Sequence, residues 1–295
     1  MITGALVSLV LQNSFSLKAC AKINLFLYIK GKREDGYHLL ETLMVPVSLY
    51  DEIRLDFYEG REIIFDDNST GDIPFDERNL AWKGANLFLE KLNLDIGVKI
   101  KINKKIPVAA GLGGGSSDCA SVLSGLNLMT GSPFDTKELR SIGVTLGADV
   151  PFFIDCRPSI CKGIGDLISP VDKFKKRYLI LVNPGTGLST SEIYKNLNWG
   201  LTNRVKKNKR LLVEDCLSVK SELINDLQSV SEERNSEIAE IIAMLEEFDA
   251  EIAMMSGSGP TCFGVYENRE KRDESLSLFL KNSKSSWKVF SAEFI

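Results

Sequence analysis

The sequence predicts an α+β fold in two domains, with a split-βαβ sandwich in the second half. Three observations predict it. Strand-like and helix-like runs alternate along the chain, two strand-like runs (Glu251–Met255 and Cys262–Tyr266) follow one another, and no run approaches about 18 uninterrupted apolar residues. The chain is 295 residues with 36 Lys+Arg against 40 Asp+Glu, a formal net charge of −4. That balance gives no global pull toward nucleic acid or anionic membrane, so any phosphate recognition must be local.

The opening residues, up to Leu17, read as a frayed leader or upstream start with no targeting role. Lys18–Lys30 alternates as a strand, with Ala19, Ala21, Ile23, Leu25, Leu27 and Ile29 on one face and Cys20, Lys22, Asn24, Phe26 and Tyr28 on the other. After the turn Gly31–Gly36, His38–Leu49 reads as a second strand, with shorter ones at Ile53–Phe57 and Glu62–Phe65. Asp66–Arg78 reads as loop. Asn79 predicts a cap for a helix to Leu92, its inner stripe at Leu80, Gly84, Leu87, Phe88 and Lys91.

Val98–Ile102 alternates as a strand, and a small-residue helix is expected from Ser117 to about Thr130. Asp135 caps the next helix, to Leu146. Val150–Ile154 reads as a short apolar strand, and no periodic pattern is visible between Cys156 and Lys173. The domain boundary falls there, giving domains of 1–172 and 173–295. The second half reads as strand (Tyr178–Val182), helix (Ser189–Leu197), basic loop and helix, then helix (Ser236–Phe248). The adjacent strands follow, then helix (Arg269–Leu280) and strand (Trp287–Phe294).

The cysteines are Cys20, Cys119, Cys156, Cys161, Cys216 and Cys262, without a CxxC pair, and His38 is the one histidine. A Cys/His zinc site is poorly supplied, and no protein-held metal site is predicted; the thiols read as free, reduced core residues of a cytoplasmic protein. The basic runs Lys173–Arg177 and Arg204–Arg210 lack interleaved aromatics beyond Phe174, so they read as solvated loops.

The most informative segment is Pro107-Val108-Ala109-Ala110-Gly111-Leu112-Gly113-Gly114-Gly115-Ser116-Ser117, between a strand and a helix. Glycines let the backbone turn and approach a ligand, a helix start presents unpaired N–H groups, and two serines add hydroxyls suited to phosphate or magnesium. No lysine follows the glycines, which excludes a Walker A loop; Ser116 stands where a dinucleotide fingerprint needs glycine. Nucleotide-phosphate binding is the stronger reading, a flexible linker the weaker.

This segment, with Asp118, resembles the central motif of the GHMP kinases. Ala21–Leu27, Arg33–His38, Gly147–Phe153 and Met255-Ser-Gly-Ser-Gly-Pro-Thr-Cys-Phe263 extend the resemblance over nearly the whole chain, toward a branch whose acceptor is a cytidine diphosphate-linked polyol. The resemblance implies a domain like the second domain of ribosomal protein S5, followed by a ferredoxin-like domain. It also implies ATP with Mg²⁺, and transfer of phosphate to an alcohol. Cys20 stands where the family often has proline, and Asp118 where it often has asparagine.

By that resemblance Lys22 and Asp149 are catalytic, the first stabilising charge on the acceptor hydroxyl and the second accepting its proton. From residues alone, a turn aspartate is the commoner use of a residue placed like Asp149, and a lone histidine such as His38 is more often structural. The resemblance instead makes Asn24 a substrate contact, Tyr37 a stacking platform for cytosine and His38 its hydrogen-bonding neighbour. A second aromatic from the C-terminal half is expected. Thr190 approaches the substrate, and Ser256–Pro260, otherwise a plain hairpin turn, packs beside the phosphate loop. A small-molecule partner is expected, with no nucleic acid or membrane, and a monomer or weak homodimer. Another GHMP kinase, or a nucleotide-binding regulator that lost catalysis, are the alternatives. Tyr37-His38 speaks against the first, and retention of Lys22 and Asp149 against the second.

Overall fold

The computed structural model describes residues 13–197, 215, 218, 220 and 222–295, so Cys216 and the basic run Arg204–Arg210 lie outside the described residues. The chain packs as two compact units built from separated stretches. One takes residues up to Ala21, Tyr50–Val108 and Gly113–Cys156; the other takes Lys22–Leu49, Ala109–Leu112 and Arg157–Ile295.

Two long strands, β1 (Ser14–Lys32) and β2 (His38–Tyr58), pair with each other and contribute residues to both units. Strand β1 starts earlier than expected: Asn13 accepts a bond from the Phe57 amide at 2.9 Å, so the residues just before Lys18 are held in the sheet. Both faces of β1 are buried from Ala19 to Ile29, Lys22 and Asn24 included. Strand β2 runs unbroken where two strands were expected. Pro46 falls between the stretch paired with the later strand β5 (Leu40–Met44) and the stretch paired with β4 (Glu52–Tyr58), where neither ladder asks for its missing donor.

In the first unit β4 (Gly97–Asn103) runs antiparallel to β2 and parallel to β3 (Ile63–Phe65). Helices α1 (Leu80–Leu92), α2 (Gly114–Met129), α3 (Thr136–Leu146) and α4 (Val150–Asp155) complete it. The Asn79 side chain caps α1 through the Ala81 amide, and Asp135 forms a reciprocal capping box with Glu138. The buried stripe of α1 is Ala81, Gly84, Ala85, Phe88 and Leu89, a rotation from the expected one. A Cβ at Gly84 would stand 3.0 Å from Cys119 Sγ of α2, so the small residues face inward because the two helices approach closely.

Val150–Asp155 is a helix, not the predicted strand. Pro151 suits a first helical turn, and the short apolar run Val150–Ile154 carries no period that separates the two states.

In the second unit the supposedly patternless stretch after Cys156 is a hairpin. Strands β5 (Ser159–Gly163) and β6 (Leu167–Pro170) are joined by a turn in which Asp166 Oδ1 accepts the Ile164 amide at 3.1 Å. The rest is β7 (Tyr178–Asn183), α5 (Thr190–Lys195), α6 (Gln228–Arg234), α7 (Glu237–Glu247), β8 (Ile252–Met255), β9 (Cys262–Tyr266), α8 (Arg269–Asn282) and β10 (Lys288–Glu293).

The sheet order β10-β7-β9-β8, all antiparallel, is the ferredoxin-like arrangement expected. Ile180, Val182, Ile238, Ile241, Leu245, Phe279 and Trp287 pack between sheet and helices as its core. Arg177 departs from the solvated-loop expectation: it is buried, and its guanidinium meets Asp215 at 2.5 and 3.2 Å. Cys20, Cys119, Cys156, Cys161 and Cys262 are free thiols, Cys156 only half-buried. Among the described residues no helix is long and apolar enough to cross a membrane.

Candidate active site

The first unit carries the helix end of the glycine loop. Helix α2 begins at Gly114, three residues earlier than expected, because Gly113 takes a left-handed conformation (φ 70°) that opens the helix inside the glycine run. The first of its amides to find a helical acceptor is Ser117 N, bonded to Gly113 O at 2.9 Å. The N–H groups of Gly114, Gly115 and Ser116 therefore have no acceptor within the helix, the arrangement that binds phosphate. Among the predicted phosphate-loop residues, Ala110 and Leu112 have buried side chains, so they can offer a ligand only backbone; Val108 is half-exposed and Ala109 exposed.

Asp149 stands at the start of α4 and makes no side-chain capping bond to that helix. Its turn lies against the phosphate loop: a Cβ at Gly147 would be 3.8 Å from Ser116 Oγ.

Behind the loop lies a buried charge cluster that the sequence reading missed. Asp51 Oδ1 accepts the Lys105 and Ile106 amides at 2.5 and 2.8 Å, which fixes the strand exit before Pro107. Lys104 Nζ bridges Asp51 Oδ2 at 2.5 Å and Asp118 Oδ2 at 2.6 Å, and also lies 3.0 Å from where a Gly114 Cβ would be. The available signal was a lone aspartate inside an apolar strand run. Two carboxylates thus share one ammonium in an enclosed site. Burial pushes the Asp118 carboxyl up to about 7 against the pull of Lys104, and its Oδ1 has no hydrogen-bond partner.

The folded state therefore holds a proton that the unfolded chain releases near the usual aspartate value of about 3.9. Stability from that proton is complete in acid below that value and is lost as pH rises through about 7. Asp118→Asn is expected to gain thermal stability relative to the parent between about pH 5 and about pH 8. Melting both proteins at the two pH values checks this; a constant difference would show that Asp118 does not titrate there.

The second unit carries the remaining predicted residues. Lys22 is 4% exposed, and its ammonium donates to Asn24 Oδ1 at 2.7 Å and to the Gly111 carbonyl at 2.9 Å. The Gly111 carbonyl also accepts Ser256 Oγ at 3.0 Å, and the Asn24 amide donates to Ser256 Oγ at 3.3 Å. Gly111 has φ 74°, and a Cβ there would collide with the Ser256 carbonyl, so only glycine serves. The hairpin turn Ser256–Pro260 is thus packed on the glycine loop, as expected.

Thr190 Oγ1 lies 2.9 Å from Ser258 Oγ on that same turn. Tyr37 is 60% exposed. The His38 ring lies 4.9 Å from the Tyr194 ring, centroid to centroid. Tyr194 was not legible as a site residue, since nothing local marks an aromatic in a short helix. Burial, then Lys32, push the His38 imidazole below its ordinary value, favouring the neutral ring.

Two family descriptions match the chain: GHMP kinases N terminal domain over residues 79–157 and GHMP kinases C terminal over 201–277. A 4-diphosphocytidyl-2-C-methyl-D-erythritol kinase of Clostridium botulinum (strain Loch Maree / Type A3) is 42% identical over 258 residues, covering 86% of this chain and 91% of the relative. The protein of that name from Syntrophotalea carbinolica is 42% identical over 287 residues, 94% of this chain and 98% of its own. A crystal structure of 4-(cytidine 5'-diphospho)-2C-methyl-D-erythritol kinase superposes with a TM-score of 0.80 at 29% identity, covering 95% of this chain and 99% of the other. The L. major mevalonate kinase in complex with R-mevalonate matches with a TM-score of 0.72 at 16% identity, over 96% and 97% of the chains, a likeness of fold.

Proposed function

Since the chain belongs to the GHMP kinases, among the 4-diphosphocytidyl-2-C-methyl-D-erythritol kinases, we propose that it acts on that substrate and through the residues named above. The reaction is ATP-dependent phosphorylation of the 2-hydroxyl of 4-diphosphocytidyl-2-C-methyl-D-erythritol. It gives the 2-phosphate and ADP, a step in non-mevalonate isoprenoid precursor synthesis. The observation that carries the reading is the Lys22 ammonium, buried and tied to a carbonyl of the glycine loop. A fixed point charge beside a phosphate-binding loop suits a hydroxyl on which negative charge grows during transfer.

Phosphoryl transfer depends mainly on alignment and charge compensation, so each residue's task is positional. The amides at the start of α2 and the Ser116 hydroxyl cradle the ATP phosphates, while Ser117, expected to join them, has a buried side chain. Asp149, two residues after the Gly147 that lies against Ser116 in the first unit, accepts the hydroxyl proton. Asn24 and Thr190 contact the polyol.

Among the described residues no group of three or more His, Cys, Asp or Glu could hold a metal by itself. A magnesium ion arriving on the nucleotide would meet the Ser116 hydroxyl at the loop and would supply charge compensation on the phosphate oxygens. The matched segments, ending at residue 157 and beginning at 201, bracket the division we propose at residues 172/173. We assign the chain to the cytoplasm, a reading its free thiols support, and as a monomer or weak homodimer without nucleic-acid or membrane partners.

For the cytosine, exposed Tyr37 offers a ring face, neutral His38 offers one donor and one acceptor, and Tyr194 is the second aromatic. Stacking on an aromatic is worth about 1–3 kcal/mol. Tyr37→Ala is therefore expected to raise KM for the cytidylated substrate about tenfold while kcat changes less; an unchanged KM argues against this base site.

The substrate assignment is tested by coupled ADP release with candidate alcohols. Turnover of the cytidylated polyol alone is expected. Equal turnover of mevalonate or homoserine would overturn it.

A further inference from the structure

We propose that Thr42 is a positioning residue for Lys22, acting through the side-chain amide of Asn24. The proposal rests on the reading of Lys22 as the catalytic ammonium and adds a residue that neither the motifs nor the family resemblance singled out.

Thr42 sits on β2 and is fully buried, at 0% exposure. Its hydroxyl lies 2.5 Å from the Phe26 carbonyl, which can only accept, so the single hydroxyl proton is committed there. The lone pairs of Thr42 Oγ1 then require a donor, and Asn24 Nδ2 supplies it at 2.8 Å. With the nitrogen end of the Asn24 amide held by Thr42, its oxygen end must face the other way. That end meets Lys22 Nζ at 2.7 Å.

The direction of every bond in this chain is dictated by chemistry. Turning the amide over would set an NH₂ group against the ammonium and an oxygen against the lone pairs of Thr42. Each of the three side chains is at most 4% exposed, so water is poorly placed to replace a lost link. A lysine ammonium on its four-carbon stem is intrinsically mobile, and the Gly111 carbonyl, at 2.9 Å, anchors it as well. Thr42 therefore decides which atom Asn24 shows to Lys22, and with it where the ammonium rests relative to the glycine loop. Misplacing a reacting group by about 1 Å can cost up to about 100-fold in rate, so loosening the Asn24 anchor is a kinetic event.

The experiment is steady-state kinetics on the full chain with ATP and the cytidylated polyol, alongside thermal melting. Thr42→Val keeps the branched shape and deletes the hydroxyl; Thr42→Ser keeps the hydroxyl. Thr42→Val is expected to lower kcat about tenfold with both KM values within about twofold, and Thr42→Ser to restore kcat to within about twofold of the parent. A folded Thr42→Val with parental kcat overturns the proposal, as does a Thr42→Ser variant equally slow. Should Thr42→Val not fold, Thr42→Cys carries the test, since its thiol is a weak donor and acceptor: kcat between those of the parent and Lys22→Ala supports the relay, and parental kcat overturns it. Lys22→Ala in the same assay separates the two levels. If it turns over normally, the reading of Lys22 fails and the relay with it. If it is inactive while Thr42→Val is parental, only the relay fails.

Discussion

Replacing Asp149 by alanine is expected to lower kcat at least about 100-fold, about 2.7 kcal/mol of transition-state stabilisation, while the protein stays folded. The expectation of an intact fold follows from local structure. Asp149 makes no capping bond to α4, so its carboxylate is not what holds that helix, and Pro151 and the buried Phe152 and Phe153 remain to do so. The expectation of a kinetic loss follows from its neighbourhood. The Gly147 turn lies against Ser116 of the phosphate loop within the same unit, and the proposed mechanism sets the carboxylate two residues on beside the transferring phosphate. An acceptor alcohol at neutral pH keeps its proton until attack, and a carboxylate positioned to take it need only be in the right place. Asp149→Asn sharpens the test, since it keeps the shape and removes the proton acceptor. Both variants are expected to keep KM for ATP within about threefold, because the helix N–H groups and the Ser116 hydroxyl that hold the phosphates are untouched. Near-parental turnover in either, measured by ADP release, would remove Asp149 from the mechanism.

What could be read beforehand was chemistry carried by residues close in sequence. Lys22 and Asn24, two apart on a strand, were expected on one face, and they are hydrogen-bonded there. Asn79 and Asp135 capped as their spacing predicted, since a cap involves only its own first turn. The glycine run announced a backbone approach without showing that Gly113 would start the helix within it.

Failures came where long-range partners decide the outcome. Val150–Asp155 is helical although its apolar run reads equally as a strand. Asp51 stays inside β2 because Lys104, Lys105 and Ile106 satisfy its carboxylate from another strand's end. No local rule links Thr42 to Lys22 or His38 to Tyr194, because each pair exists only after the chain has folded. Asp118 illustrates the same limit in electrostatics: its identity was visible, but its raised pKa comes from its burial and from Asp51 beside it, against the pull of Lys104, all of which exist only in the fold.

Lys22→Ala is expected to match or exceed the Asp149 loss, at least about 100-fold in kcat. The competing reading is structural: a buried lysine bonded to Asn24 and to the Gly111 carbonyl serves as a brace for the glycine loop. The bonding pattern answers it. Gly111 O accepts from Ser256 Oγ as well as from Lys22, so the loop carbonyl keeps a donor when the ammonium is removed. Asn24 keeps its bond to Thr42, and the Lys22 amide keeps its 3.0 Å bond to Leu112 O, so strand and loop remain joined through backbone. What the variant loses is a positive charge in a place with little water, where its effect on a developing alkoxide is least screened. Lys22→Met, which restores most of the volume, is therefore expected to melt near the parent and to be as slow as Lys22→Ala. A brace predicts the opposite pairing: a lowered melting temperature in both variants, with turnover per folded molecule close to parental. Measuring folded fraction and kcat on the same preparations distinguishes the two, and a folded, fully active Lys22→Met would end the case for a catalytic ammonium.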